Sequence, residues 1–449
     1  MEAFRVDKGA LGFRLDRFGR TSLNLNYEFS NGINLRSITS YQRGNTQYQA
    51  DLDGTATTNS TFLDSVNETI YSQEVNLISP DEGLVTWVLG AYYQHDEYDF
   101  LPNQFIIGVP RGSPFTEYRL QGTNPKETEA VFGQVSLNLP AGWQVQLGAR
   151  YSHNTTTNHV DVVQYGTPIV DEQSASYSNL SGKLAINWTV DDHNFLYAFA
   201  ATGYRPGGLN VPVGFGQPDP FDAEKVTEYE IGWKAGFLGG HLRTQLDAYY
   251  NNYDNFQVII GYPTLPIFGF ELNTPETTVI YGFEAQAEAT FGDLSIDAGL
   301  GWMHSELGTF YATDPRAATF TACNPSTGPV SASCINLDGH EQTYAPELTF
   351  NIGAQYEFTL GAHDTLTPRL NFGHVSEQWA TLFENTARGD RVEARNIWNA
   401  QLAWLSRPAY AALAGNEGIL TAVGNDYGYE RVFERQVLGE EDLRRVAAS

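Results

Sequence analysis

The sequence predicts an all-β fold: an antiparallel transmembrane β-barrel, present only in part, followed by a short helical C-terminal tail. Three observations predict it. From Leu242 the residues alternate, with Leu242, Thr244, Leu246, Ala248 and Tyr250 on one side and Arg243, Gln245, Asp247 and Tyr249 on the other. A period of two belongs to strands, not helices. The same alternation recurs along nearly the whole chain, with aromatics near many segment ends, which is how a wall between lipid and a polar interior is written. The connections also alternate between short turns and polar stretches of very roughly 12 to 40 residues, the asymmetry of bacterial barrels.

Composition bounds the rest. The 449 residues allow two or three ordinary domains or one very large barrel. A balance of 53 acidic against 26 basic residues, net charge -27, argues against nucleic acid as a partner. Aromatics at 13%, with 25 Tyr, 8 Trp, 43 Gly and only 2 Met, suit long strands with aromatic girdles and glycine turns, and disfavour a helical bundle. A mean hydropathy of -0.33 is compatible with a membrane protein, because only alternate residues of a barrel strand meet lipid. No run approaches the roughly 18 apolar residues of a membrane helix; Phe195 to Ala201 is among the longest. The opening MEAFRVDKGALGFRLDRFGR shows no basic stretch followed by an apolar one, so no signal peptide is visible. An outer-membrane protein needs one, so either the barrel reading is wrong or the chain starts in the middle of a longer protein.

Residues 1–20 are read as a poorly defined leader or outer-loop segment, and strands follow in hairpins. Thr21 to Ser30 and Gly32 to Thr46 flank an Asn31-Gly32 turn of the kind tight hairpins use. Glu68 to Ser79 and Leu84 to Tyr98 flank Pro80 to Gly83, and Glu127 to Leu139 meets Trp143 to Thr156 across Pro140-Ala141-Gly142. Tyr177 to Val190 meets Phe195 to Arg205, and Lys225 to Phe237 meets Leu242 to Val258 across Gly239-Gly240. Thr277 to Phe291 turns through Gly292-Asp293 into Leu294 to Leu307; Glu347 to Leu360 turns into Thr365 to Ser376; Ala394 to Leu405 closes the series without a partner. Long polar loops are expected at Thr157 to Ser176 and Gly308 to Tyr344. At roughly 12 to 16 residues these strands exceed the 9 to 11 that cross a bilayer and would project outward as a wall. The total is about 15, odd where bacterial barrels close with even numbers.

Phe195 to Asn210 (FLYAFAATGYRPGGLN), followed by EKVTEYEIGWKAGFLGGHLRTQLDAYYNNYDNFQV, resembles the core of TonB-dependent outer-membrane receptors, the iron-complex or siderophore receptor class. Ile33 to Asn45, Tyr71 to Tyr93, Phe132 to Asn154, Ile280 to Leu307 and Tyr344 to Phe358 are similar to that family in order and spacing. The resemblance implies a 22-stranded barrel filled by a plug, with an energy-coupling box ahead of the plug. It also implies capture of a scarce ligand, most often a ferric siderophore, by the outer loops, and an inner-membrane TonB system that pulls on the plug. No cofactor is implied. Residues 21–406 are then an incomplete barrel, about 15 of 22 strands, with neither plug nor box. A passive porin-like channel, or a non-functional truncated or fused fragment, is the alternative. From Arg407 the alternation breaks. Ile419 to Val437 resembles a segment of phosphoheptose isomerases, a likeness across residues 407–437 that carries no catalytic positions, so 407–449 is read as a foreign helical tail or an ordinary amphipathic helix.

Chemistry candidates are few. Tyr204, Arg205 and Asn210 sit where a strand enters an outer loop. By the resemblance Tyr204 and Arg205 would hold an anionic ferric chelate, since guanidinium pairs bidentately with carboxylates. The alternative is that Pro206-Gly207-Gly208 simply ends the strand and Arg205 makes a wall ion pair. Cys323 and Cys334, the only cysteines, share one polar outer loop, where a disulfide is the simplest reading; a metal site would need more ligands. Glu228, Glu230, Asp247, Glu284, Glu288 and Asp297 recur at period two on interior faces and line a wall rather than catalyse. No HExxH, GxSxG or P-loop pattern is present, and no enzymatic activity is expected.

Overall fold

The computed structural model describes residues 12–51, 60–107, 117–164, 166–212, 219–262, 265–314, 316, 323, 326, 328, 334–361 and 364–406. The expected helical tail at 407–449 lies outside them. Alternating side chains write strands throughout. In chain order they are β1 (Phe13–Glu28), β2 (Asn34–Asp51), β3 (Ser60–Ile78), β4 (Val85–Ile107), β5 (Glu117–Asn138), β6 (Trp143–Gln164), β7 (Thr167–Asp191), β8 (Asn194–Arg205), β9 (Glu224–Phe237) and β10 (Leu242–Asp254). A separate hairpin, β11 (Gln257–Tyr262) and β12 (Leu265–Asn273), precedes β13 (Thr278–Phe291) and β14 (Leu294–Glu306). Two short strands follow, β15 (Tyr311–Thr313) and β16 (Cys334–Asn336), and then β17 (Leu348–Tyr356), β18 (Phe358–Leu360) and β19 (Asp364–Val375). The last are β20 (Gln378–Trp379), β21 (Arg391–Val392) and β22 (Arg395–Ser406).

One 16-stranded sheet runs β1-β2-β3-β4-β5-β6-β7-β8-β9-β10-β13-β14-β17-β19-β18, with β22 on β19. Because β17 and β18 are one course broken at Glu357, the wall has one course fewer than that count. Neighbours in the sheet are neighbours in sequence, as expected of hairpins joined by tight turns. Ala141 and Gly142 both take positive φ, 60° and 78°, the primed-turn geometry that matches strand twist. A Cβ on Gly142 would stand 2.1 Å from the Thr189 carbonyl oxygen.

Two expectations need correction. β1 begins at Phe13, so part of the segment read as a leader is strand; its mixed Arg14, Asp16, Arg17 and Phe18 obscure the alternation there. The stretch 157–176 is a continuation of the β6–β7 ladder, paired without a break from Trp143↔Trp188 to Gln164↔Thr167. It is hidden from a search for an apolar outer face because its outward side chains are mostly polar, His159, Asp161, Glu172 and Ser174 among them.

Contacts group the chain into Met1–Ala354 with Leu370–Ala400, and Gln355–Arg369 with Gln401–Ser449. In the small unit Phe358 faces Leu366 across the hairpin and Tyr356 packs on Phe358 with centroids 4.5 Å apart. In the large unit the apolar face of the sheet is open: Leu147 is 64% exposed, Leu180 70% and Ile231 61%. Aromatics bound this face at two levels. Trp143 stacks on Trp188 at 4.7 Å beside the short turn, and farther up Tyr71 meets Tyr93 at 6.4 Å and Tyr250 meets Tyr281 at 6.0 Å. From Trp143 to Tyr151 is about eight steps of ~3.3 Å, roughly 20 Å of height at a tilt near 40°. Beyond that level β4 to β7 continue, and the β3–β4 and β4–β5 registers each shift once, at Leu63/Val66 and Phe100/Asn103, bulges that bend and twist the projecting wall.

The polar face pairs carboxylates, amides and aromatics. Asp247 lies opposite Glu284, and the Tyr197 hydroxyl donates to Glu230 Oε1 at 2.7 Å. Large rings on this face lie flat over glycines of the next strand: a Cβ on Gly232 would stand 2.2 Å from the Tyr197 ring, and one on Gly90 2.2 Å from Phe132.

Candidate ligand site at the outer mouth

β8 ends at Arg205 and the chain turns through Pro206, Gly207 and Gly208. Phe221 and Tyr177 press onto that turn: a Cβ on Gly207 would stand 2.2 Å from the Phe221 carbonyl oxygen, and one on Gly208 2.4 Å from the Phe221 ring. Gly208 and Phe221 exchange backbone hydrogen bonds of 3.1 and 3.0 Å, and the Tyr177 hydroxyl donates to the Phe221 carbonyl at 2.8 Å. Burial first, and then the Asp222 carboxylate, push the Tyr177 hydroxyl up, so it stays protonated and donating.

The loop from Pro206 to Ala223 is fastened to the β11–β12 hairpin. Arg205 Nη2 donates to Glu271 Oε1 at 2.8 Å. Asn210 Nδ2 donates to the Glu271 carbonyl at 2.8 Å while its Oδ1 accepts from the Glu271 N–H at 2.9 Å, so this side-chain amide pairs with the hairpin edge as a strand would. The Gln257 N–H donates to Glu224 Oε2 at 2.7 Å, and its Nε2 donates to the carbonyls of Pro206 and Asp222, each at 3.0 Å. Asn273 Oδ1 accepts from the Asp222 N–H at 2.7 Å and its Nδ2 donates to the carbonyls of Asp222 and Asn255, each at 2.8 Å.

The segments above the sheet have apolar cores of their own. One gathers Val258, Ile260, Leu307, Phe310, Ala312, Leu337 and Leu382, with Leu272 and Phe383 against it. Another gathers Tyr118, Leu120, Val160, Val162 and Phe270, with Val211 and again Leu272. Beside the first lies a charged clamp. Arg316 donates to both Asp390 oxygens, Nη2 at 2.8 Å, and through Nε to Asp314 at 2.9 Å; both carboxylates are about 2–3% exposed. The Arg316 guanidinium, with help from the Thr381 hydroxyl and the Asn385 amide, holds Asp390 well below the usual carboxylate range. Burial alone would raise Asp314, but bonds from the Arg316 side chain and backbone outweigh it and keep it low. Cys323 and Cys334 are joined as a disulfide, Cα atoms 5.6 Å apart; Cys334 opens β16, whose Ile335 packs on the first core.

Of the three residues singled out from sequence, two are engaged with Glu271. Arg205 makes an ion pair with it, and Asn210, 8% exposed, is consumed by its backbone. Tyr204 differs: its hydroxyl is buried and has no partner among the described residues. Glu271, Gln257 and Asn273 escaped sequence reading because their neighbours Asn210 and Asp222 lie some 35 to 60 positions away. On the polar face below the mouth, Lys126 Nζ stands 5.2 Å over the Tyr98 ring, and the Arg150 guanidinium 5.5 Å from Tyr92 and 5.3 Å from Phe132. These cations over aromatics offer anions and flat conjugated groups a surface. Among the described residues no group of three or more His, Cys, Asp or Glu is placed to hold a metal ion.

The family described as "TonB dependent receptor-like, beta-barrel" matches residues 4–415. The chain belongs to that family. Its open apolar face is therefore the lipid-facing side of an outer-membrane barrel wall, its polar face lines the lumen, and its long connections lie outside the cell. The match starts at residue 4 and passes Arg407, wider at both ends than the limits of 21 and 406 drawn from sequence. A pesticin receptor of Yersinia pestis is 26% identical over 141 residues, 31% of this chain and 21% of that protein. Among solved structures, the ferric yersiniabactin uptake receptor FyuA of Yersinia pestis superposes with a TM-score of 0.71 at 17% identity, covering 88% of this chain and 55% of that one. The ferric preacinetobactin receptor BauA of Acinetobacter baumannii gives 0.61 at 15% identity, covering 90% and 59%. The chain thus spans little more than half the length of these two solved receptors. TonB-dependent barrels belong to receptors and transporters rather than enzymes, and they reside in the outer membrane of Gram-negative bacteria.

Proposed function

We propose that this chain is the wall and outer mouth of a receptor that captures a scarce ligand, a ferric siderophore, outside the cell and passes it inward when a TonB system acts through a plug. The family match across residues 4–415 carries the reading. The named ligands of the structural relatives, ferric yersiniabactin and ferric preacinetobactin, support the class of cargo. Tyr204, at the end of β8 where the chain enters the mouth, is the residue offered for ligand contact. Arg205 and Asn210 would serve the ligand at one remove, by holding the hairpin that borders the mouth. The barrel does no covalent chemistry: it excludes lipid, presents loops and leaves release to the energised plug. The test is accumulation of ⁵⁵Fe, supplied as a spent-medium siderophore extract, by iron-starved cells whose only receptor is the complete gene that carries this barrel. Accumulation that needs Tyr204 supports the reading; accumulation unchanged by deleting the gene counts against it.

A further inference from the structure

The β11–β12 hairpin has two faces with different employment. On one, the cross-strand pairs Val258↔Leu272 and Ile260↔Phe270 are apolar and inserted: Val258 and Ile260 belong to the core around Phe310, Phe270 belongs to the core around Val160 and Val162, and Leu272 touches both. On the other, Glu271 and the edge residues Gln257 and Asn273 are fastened by Arg205, Asn210, Asp222 and Glu224. The two cores arise from wall strands that are not neighbours. Tyr118, Leu120, Val160 and Val162 project from β5 and β6, while Leu307, Phe310 and Leu337 follow β14, and β7, β8, β9, β10 and β13 stand between them in the sheet. Packed cores shift between discrete arrangements rather than deform smoothly, so a rigid element shared by two of them ties their positions together.

We propose that this hairpin is the positioning element of the mouth, with Leu272 as the joint between the two extracellular lobes and Glu271 as the point where the joint is held. The proposal rests on the reading of the mouth as the ligand-capturing end. It adds that ligand contacts on the β5–β6 lobe and on the lobe after β14 are set together, not independently. Phe310 reports one lobe and Val162 the other.

The test is hydrogen exchange measured by mass spectrometry on the complete receptor in outer-membrane vesicles, which needs no ligand. Phe310→Leu disturbs only the first core directly. With Leu272 intact, exchange should rise by on the order of tenfold in residues 334–340 and also, severalfold, in 118–120 and 160–164. In a Leu272→Ala background the Phe310→Leu effect should stay within the first lobe, a coupling lost. Ile259→Ala, at a side chain 70% exposed on the same hairpin, should change neither lobe. Confinement of the Phe310→Leu effect to its own lobe while Leu272 is intact overturns the proposal, as does an equal spread with Leu272→Ala. A receptor that accumulates no ferric ligand would instead overturn the proposed function and leave this measurement standing.

Discussion

Replacing Asp390 by Ala isolates what the Arg316 clamp contributes to the extracellular lobe. The substitution removes the acceptors for Arg316, for the Thr381 hydroxyl at 2.7 Å and for the Asn385 N–H at 2.9 Å. Bonds to charged groups contribute about 1.5–3 kcal/mol each, and breaking a buried pair costs about 3–5 kcal/mol. Arg316 is one-third exposed and keeps Asp314, so water and the second carboxylate recover part of the loss. About 2–3 kcal/mol of local stability remains at stake, or roughly 30- to 150-fold faster opening. Hydrogen exchange reads it at the Ala380 N–H, which donates to the Asp390 carbonyl, and at the Leu337 N–H, which donates to Phe310. Asp390→Asn keeps an acceptor and should lose about half as much. The sign with pH follows from the depressed carboxyl of Asp390: its contribution is complete above the ordinary aspartate value of about 3.9 and is lost as pH falls through the lower folded-state value. The gap between the native protein and Asp390→Asn should therefore hold from about pH 5 to 8 and close only in strong acid. Rates in Asp390→Ala within about threefold of native, or a gap that closes near neutrality, would refute this.

Other perturbations should separate wall from mouth. Gly232→Ala places a Cβ inside the Tyr197 ring and should cost about 1–3 kcal/mol in urea unfolding from lipid vesicles, a cost that Tyr197→Ala should largely absorb in the double variant. Asn210→Ala strands the Glu271 N–H and carbonyl and should cost the hairpin about 2 kcal/mol, whereas Arg205→Ala breaks a half-exposed pair worth under about 1 kcal/mol; the order of protease nicking at residues 257–273 would show it. Reduction of Cys323–Cys334, which spans 11 residues, should lower the loop's stability by up to about 3 kcal/mol and speed nicking there, with no change in the wall.

The wall was legible because its physics is local. Leu242 to Tyr250 alternates, the turn at Ala141-Gly142 carries its own left-handed signature, and each strand pairs with the next in sequence, so reading hairpins in order recovers the sheet. Reading failed where solvent replaces lipid: along the ladder at His159–Glu172 and Asn158–Asp171 the alternation is inverted, with Val160 and Val162 turned inward and polar side chains outward. The mouth was harder still. Arg205 could be flagged as a cation at a loop entrance, but its partner Glu271 lies 66 positions on, and Arg316 and Asp390 are 74 apart. Nothing local marks Leu272 as shared by two cores.

Energy-dependent import is the central claim, and ⁵⁵Fe uptake before and after collapse of the proton gradient tests it most directly. Iron-starved cells relying on the complete gene should accumulate ⁵⁵Fe from a siderophore extract and stop when a protonophore is added, while surface-bound ⁵⁵Fe persists. Uptake that continues undiminished without the gradient would contradict it and make the barrel a passive channel.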